Sequence, residues 1–265
     1  MIIPFVKVEY NGNQSCVSWR GLRLCKGDEL SAFMRQEVAG RLNDAPGRDE
    51  FLNHLRGLAL TGMGKDSLEA VLSADIPEER DWAVGEALAE ALLIRSHGVI
   101  FPWNMERDKR NAKDSLPGAD IVGFLPFDSG FRLVLGEIKT SGEEKYPPQV
   151  MSGRSGCLGH QIDKLANNMS TICRLLYWLL PRVKGTQYQN AYDQSAAVYF
   201  NSGNKAASLF GILIRDTVPN ELDLKNRGNA LGKVMDDPAS CELIAAYLPF
   251  KISDLPNVLK EGVAS

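Results

Sequence analysis

No run of about 18 apolar residues occurs anywhere in the 265-residue chain, which excludes a helix that crosses a membrane. The opening "MIIPFVKVEYNG" has neither a basic lead nor an apolar stretch long enough for a signal peptide, so the expectation is a soluble, cytoplasmic protein. Cysteine is sparse and scattered, at 16, 25, 157, 173 and 241, with no Cys-x-x-Cys pair. That pattern suits reduced thiols and excludes a disulfide framework or a four-cysteine zinc site. Cys157 and His160 make half a zinc site without a second half, and the simpler account is a buried thiol beside a helix start. An excess of positive charge is also missing: 30 Lys and Arg stand against 33 Asp and Glu, a net charge of −3. Phosphate neutralisation normally leaves a basic footprint, so any nucleic-acid contact must be local or shared with a partner. A phosphate-binding loop is absent as well. "TGMGKDS" has Ala59 where the first glycine of that motif should stand, and Asp66 follows Lys65. A cysteine hydrolase is a weak rival, because Cys157 and His160 lie too near each other along the chain to suggest the usual arrangement.

What is present is an ordinary globular balance, 44% hydrophobic and 24% charged, enough for one large domain or two modest ones. There is no repeat and no low-complexity tract. The first 25 residues read as short strands, and "GDELSAFMRQEVAGRL" as a helix with Asp28 near its start, followed by shorter helical pieces. "SADIPEERD" breaks the pattern near residue 75 and divides an α-rich N-terminal strand and helix region, 1–75, from a second region, 76–265. There, "WAVGEALAEALLI" is a helix apolar almost all round, hence buried, with Glu86 and Glu90 one turn apart on one face. At least one of these carboxylates must find a cation, a donor or a metal. A strand is expected near "GVIFPW", then a polar loop and a hairpin. A Gly/Ser loop leads into one long helix, "HQIDKLANNMSTICRLLYWLL", ending before Pro181. "SAAVYF", "SLFGILIRD" and "CELIAAYLPF" read as three more strands, so the fold class is α/β, with a mixed sheet flanked by helices.

The hairpin, "GADIVGFLPFDSGFRLVLGEIKTS", carries the chemistry. Side chains alternate faces along a strand, so Glu137 and Lys139 extend the apolar row begun by Leu133 and Leu135. A turn centred on Asp128 and Ser129 pairs Phe127 with Gly130 and, counting outward, Asp120 with Glu137. Directly opposed residues have Cβ atoms about 5 Å apart, and two carboxylates so placed are unfavourable unless something lies between them. A divalent cation removes that repulsion. In order along the chain stand Glu86 on a helix, Asp120 opening a strand, Glu137 and Lys139 on its partner, and Gln161 starting the next helix. These types suit phosphodiester hydrolysis: carboxylate oxygens hold Mg²⁺ or Mn²⁺, and a lysine on the same face orients water or neutralises charge on the phosphate. Two other acid-x-Lys triplets fail on context. Glu143 to Lys145 lies among Gly142, Pro147 and Pro148, and Asp223 to Lys225 follows a turn-like stretch.

These residues resemble the PD-(D/E)XK nucleases of the restriction-endonuclease-like fold. In that pattern "GEALAEALL" supplies the helix glutamate, Glu86 with Glu90 as the second choice. "PGAD" supplies Asp120, "LVLGEIK" supplies Glu137 and Lys139, and "HQIDKL" supplies Gln161. Pro117 lies three residues before the Asp instead of adjoining it. The match covers roughly residues 80 to 180. It implies a metal-dependent deoxyribonuclease with Glu86, Asp120, Glu137, Lys139 and Gln161 as catalytic residues, and Asp120, Glu137 and Glu86 as ligands of Mg²⁺ or Mn²⁺. More narrowly, length, helical lead and hairpin are similar to the HamA nuclease subunits of the Hachiman anti-phage defence systems. That likeness implies a HamB-like helicase partner, DNA degradation on sensing foreign or damaged DNA, and a partner-docking role for residues 1–75. Lys109, Arg110, Lys113 and Arg154, in loops beside the expected site, are candidates for contact with DNA phosphates, or simply solvated charges. The competing reading is a catalytically silent DNA-binding or scaffolding subunit that keeps the nuclease fold.

Overall fold

The computed structural model describes residues 3–74, 83–108, 118–127, 130–152 and 156–261. Its centre is a six-stranded mixed sheet flanked by helices, an α/β architecture, in the order β1-β2-β6-β5-β4-β3. The strands are β1 (Val6–Gln14), β2 (Val17–Leu24), β3 (Ile121–Phe127), β4 (Gly130–Ser141), β5 (Ala207–Arg215) and β6 (Ser240–Tyr247). β2, β6, β5 and β4 run parallel, while β1 and β3 close the two edges antiparallel. β5 is buried along its whole length, as a strand covered on both faces must be, and its sequence "ASLFGILIR" is accordingly a near-continuous apolar run.

Between β2 and β3 lie α1 (Asp28–Phe33), α2 (Ala39–Leu42), α3 (Ala45–Leu58), α4 (Gly62–Ser73), α5 (Ala83–His97) and α6 (Met105–Asp108). A single π-helical stretch, Met34–Val38, joins α1 to α2, so the expected first helix is continuous but irregular. After the hairpin come α7 (Gln149–Ser152), α8 (Leu158–Asn167), α9 (Met169–Val183) and α10 (Gln189–Asn201). α11 (Lys225–Leu231) and α12 (Leu255–Glu261) flank β6. Among the described residues no helix is long and apolar enough to cross a membrane.

Four local expectations change. The long helix expected over 160–180 is two helices, because the Asn168 side chain accepts the Thr171 backbone N–H at 3.0 Å and starts α9 afresh. Pro181 lies inside α9 rather than after it. It sits in the last turn, where its missing N–H forgoes one bond only. "SAAVYF" belongs to α10: Ala191, Ser195, Ala196 and Tyr199 are buried at a spacing of three and four, a helical period that six residues cannot reveal. The segment near "GVIFPW" makes only one bridge, Ile100 opposite Phe124, beside the edge strand β3.

β1 and β2 bond into the same sheet as β3 to β6, so the strands of region 1–75 share the core of region 76–265. The helices α3 and α4 differ from the rest: neither has a buried residue, and Phe51, Leu58, Leu60, Met63 and Val71 are exposed. Asp44 and Thr61 cap them by accepting N–H groups of Gly47 and Gly64.

The sheet has two faces with different helices. Glu137, Gly211, Leu243 and Trp19 lie in one cross-strand row and share a face. Leu158 and Ile162 of α8 cover Gly211 there, and Gly228 of α11 lies against Trp19. Gly136, Phe210, Glu242 and Ser18 form the neighbouring row on the opposite face. α5 covers that side: Gly85 abuts Thr140 and Ile214, and the His97 ring meets Phe210 edge-on at 5.1 Å.

Candidate active site

The hairpin register is the one counted from the sequence: Phe127 faces Gly130 and Ile121 faces Gly136. One step further out, the Asp120 backbone N–H donates to the Gly136 carbonyl at 2.9 Å, and the Asp120 Oδ2 accepts the Ile138 N–H at 2.9 Å. Asp120 is thus fixed by main-chain bonds on both sides of Glu137. Glu137 is 6% exposed and continues the row of Leu133 and Leu135, both fully buried. Lys139 Nζ donates to Glu137 Oε1 at 2.6 Å. The alternation of a strand, two residues per repeat, puts this acid and base on one face within bonding reach.

The electrostatics are strained in a particular way. Burial, and then the negative charge of Asp120, push the Glu137 carboxyl up to about 7, against the opposing pull of Lys139; a hydrogen bond between the two acids adds to the rise. Burial alone would lower the Lys139 pKa, but its hydrogen bond to Glu137 and the charges of Glu137, Asp120 and Glu86 raise it instead. Lys139 is therefore held as an ammonium ion. It can neutralise or orient, and it cannot act as a base near neutral pH.

Glu86 and Glu90 separate cleanly. Glu90 is fully buried and its Oε2 accepts from Arg41 Nε at 2.7 Å, while Arg41 also donates to the Trp103 carbonyl and stacks on Phe101 and Trp103. This is an internal ion pair remote in sequence, and it takes Glu90 out of the site. Glu86 is half-buried, and its charge bears on Lys139. However, the three expected metal ligands do not form one cluster: among the described residues no group of three or more His, Cys, Asp or Glu is placed to hold an ion. The reason is the layering. α5, which carries Glu86, packs on the face of the sheet opposite to Glu137.

The residues present still fit a divalent cation. Two carboxylates in mutual contact, one of them pushed to about 7, require either a shared proton or a cation between them. Mg²⁺ is commonly held by one or two carboxylates, with water and substrate phosphate filling its remaining positions. Gln161 lies in the first turn of α8, on the Glu137 face, half-buried and without a side-chain hydrogen bond among the described residues. Lys109, Arg110, Lys113 and Arg154 lie outside the described residues.

The decoys have structural explanations. The Cys157 Sγ accepts the His160 N–H at 3.4 Å and caps α8, so the Cys-x-x-His spacing is that of a helix start. Glu143 accepts the Gln149 N–H in a loop, and Asp223 is buried against Tyr247 and Arg215. The Arg215 cluster was not legible from the sequence. Arg215 is fully buried and donates to the Ser141 and Lys145 carbonyls, which fixes the chain just beyond Lys139. Its only sequence signal is an arginine ending an apolar strand. No protein-family model matches the chain, and no curated protein matches it in sequence.

Proposed function

We propose that this chain is a Mg²⁺- or Mn²⁺-dependent deoxyribonuclease of the PD-(D/E)XK type with a restriction-endonuclease-like core. We assign it as the effector subunit of an anti-phage complex with a helicase. The observation that carries the reading is the contact of Asp120 with Glu137, with Lys139 bonded to Glu137, at the carboxyl end of a parallel strand. Ligand sites in α/β sheets favour that edge. Asp120 and Glu137 would hold the ion. A bound Mg²⁺ or Mn²⁺ polarises a phosphoryl oxygen and lowers the pKa of a water. Lys139 stabilises charge growing on the phosphate, the charge of Glu86 adds to those of Glu137 and Asp120 in favouring its ammonium form, and Gln161 adds an amide from the first turn of α8. With a net charge of −3, the chain leaves much of the grip on DNA to a partner.

The test is cutting of linear and circular DNA by the protein, alone and with the helicase encoded beside it, in Mg²⁺ or Mn²⁺. Cutting that disappears in Glu137→Ala and Lys139→Ala supports the reading; cutting undiminished in either removes the assigned site. A gene neighbourhood without a helicase counts against the defence assignment. A second reading has one observation in its favour, the closed Lys139–Glu137 ion pair without a third acid in the cluster among the described residues. It makes the chain a catalytically silent DNA-binding or scaffolding subunit, and DNA binding without cutting under every condition selects it.

A further inference from the structure

We propose that Gly211 is a positioning residue: with Leu158 it forms the seat that sets how closely α8, and Gln161 with it, approaches Glu137 and Lys139. The inference rests on the nuclease reading for its catalytic consequence, though not for the seat itself. Gly211 is the direct cross-strand neighbour of Glu137 in β5 and shares its face. A Cβ placed there would lie 2.7 Å from Leu243 Cδ2, 2.9 Å from Leu158 Cδ2 and 3.6 Å from Ile162 Cγ1. Real carbon contacts are not that short, and Leu158, Ile162 and Leu243 are all fully buried, so none can swing into solvent to make room. A side chain at 211 therefore presses on Leu243 in the sheet and on Leu158 of α8, and on the helix side the relief is for α8 to lift.

The rest of α8 is built to keep it down. Arg227 of α11 donates to the Gly159 carbonyl at 2.8 Å and pairs with Asp163, while Cys157 caps the first turn. Gly159 itself has no room for a side chain, since a Cβ would stand 3.0 Å from the Met151 carbonyl and 3.1 Å from Arg227 Nε. The helix is thus held from above by polar bonds and admitted from below by a missing methyl group next to the buried acid. Gln161, between the sheet-facing Leu158 and Ile162 of the same turn, moves wherever that turn moves.

The experiment uses the full chain and three variants, Gly211→Ala, Gly211→Ala with Leu158→Val, and Gly211→Ala with Leu243→Val. It reads amide hydrogen exchange over residues 158–167, thermal stability, and kcat and KM for cutting linear DNA in Mn²⁺. Gly211→Ala is expected to speed exchange in α8 and lower kcat roughly ten- to a hundredfold with little change in KM, the scale of a misplacement near 1 Å. Leu158→Val, which removes the atom on the α8 side, should restore both. Leu243→Val clears the same methyl from the sheet side and should regain stability without restoring kcat. Unchanged α8 exchange in Gly211→Ala overturns the proposal, as does rescue of cutting by Leu243→Val equal to that by Leu158→Val. A wild-type protein that never cuts DNA defeats the nuclease reading instead, and the exchange data still decide the seat.

Discussion

Two buried glutamates lie on opposite sides of one sheet, and their surroundings differ in the balance of charge. Glu90 meets one guanidinium, Arg41, which is itself anchored to a main-chain carbonyl and lies against the rings of Phe101 and Trp103. Acid and base cancel, and the aromatic rings exclude water. Glu137 also meets one cation, Lys139, but Asp120 touches it and Glu86 acts on the same ammonium. Two acids thus meet at one ammonium, with Glu86 acting on it from outside the pair. The first arrangement holds α2 to α5. In the second a buried acid has another acid against it, a crowding expected where an ion or the transition state of a phosphate ester is to be bound. Arg215 with Asp223 follows the first pattern, a buried pair whose remaining donors go to carbonyls. Burial of a carboxylate is thus no mark of a site here; what sets Glu137 apart is the second acid against it.

The largest effect expected from breaking this comparison is structural. Arg41→Ala removes the guanidinium from the fully buried Glu90, and removing one partner of a buried pair costs about 3–5 kcal/mol. Urea melts should show that loss, while the mirror change Glu137→Gln should leave stability unchanged or higher, because it removes one of the crowded acids. Equal destabilisation by the two substitutions would erase the distinction. Next in size is catalysis. Glu137→Ala and Lys139→Ala should each lower cutting by roughly 10²–10³-fold, the range for removal of one preorganised stabilising group. Circular dichroism would be unchanged, whereas Glu90→Gln should cost stability and leave the rate per folded molecule intact.

The difference between the two sites also explains what the sequence could reveal. The hairpin register was countable because a tight turn and alternation fix every pair, so the pairs from Phe127 with Gly130 back to Ile121 with Gly136 followed from arithmetic, and Asp120 lies just beyond them. The sheet order was not countable. β2 finds β6 across more than 200 residues, and nothing local in "VSWRGLRL" names that partner. The Arg41–Glu90 pair spans 49 positions, and so the choice between Glu86 and Glu90 stayed open until the packing of α2 on α5 was known. The break at Asn168 was legible in principle, since Asn is a favoured cap, but the apolar stripe running through it reads as one helix. α10 failed as a strand for a similar reason: six residues of Ser, Ala, Val and aromatic side chains fit either period.

The smallest effect is the dependence of stability on pH, and its sign separates the two glutamates. In the metal-free protein the Glu137 carboxyl sits near 7, above its ordinary value of 4.5, so the folded state holds a proton that the unfolded chain releases between those limits. Linkage then requires the contribution of this group to be fully present below about 4.5, to decline as pH rises, and to be lost above about 7. Its size is of order a few kcal/mol at most, shared with Asp120 because the two acids titrate together. Urea melts between pH 5 and pH 8 should therefore show the wild type gaining stability toward the acidic end, relative to a Glu137→Gln variant that lacks the slope. Saturating Mg²⁺ should flatten the wild-type slope by supplying at high pH the positive charge that the proton supplies at low pH. A wild type and variant with parallel pH profiles would mean that Glu137 ionises as freely as an exposed acid. The crowding of two acids on which the comparison turns would then be relieved by some other group.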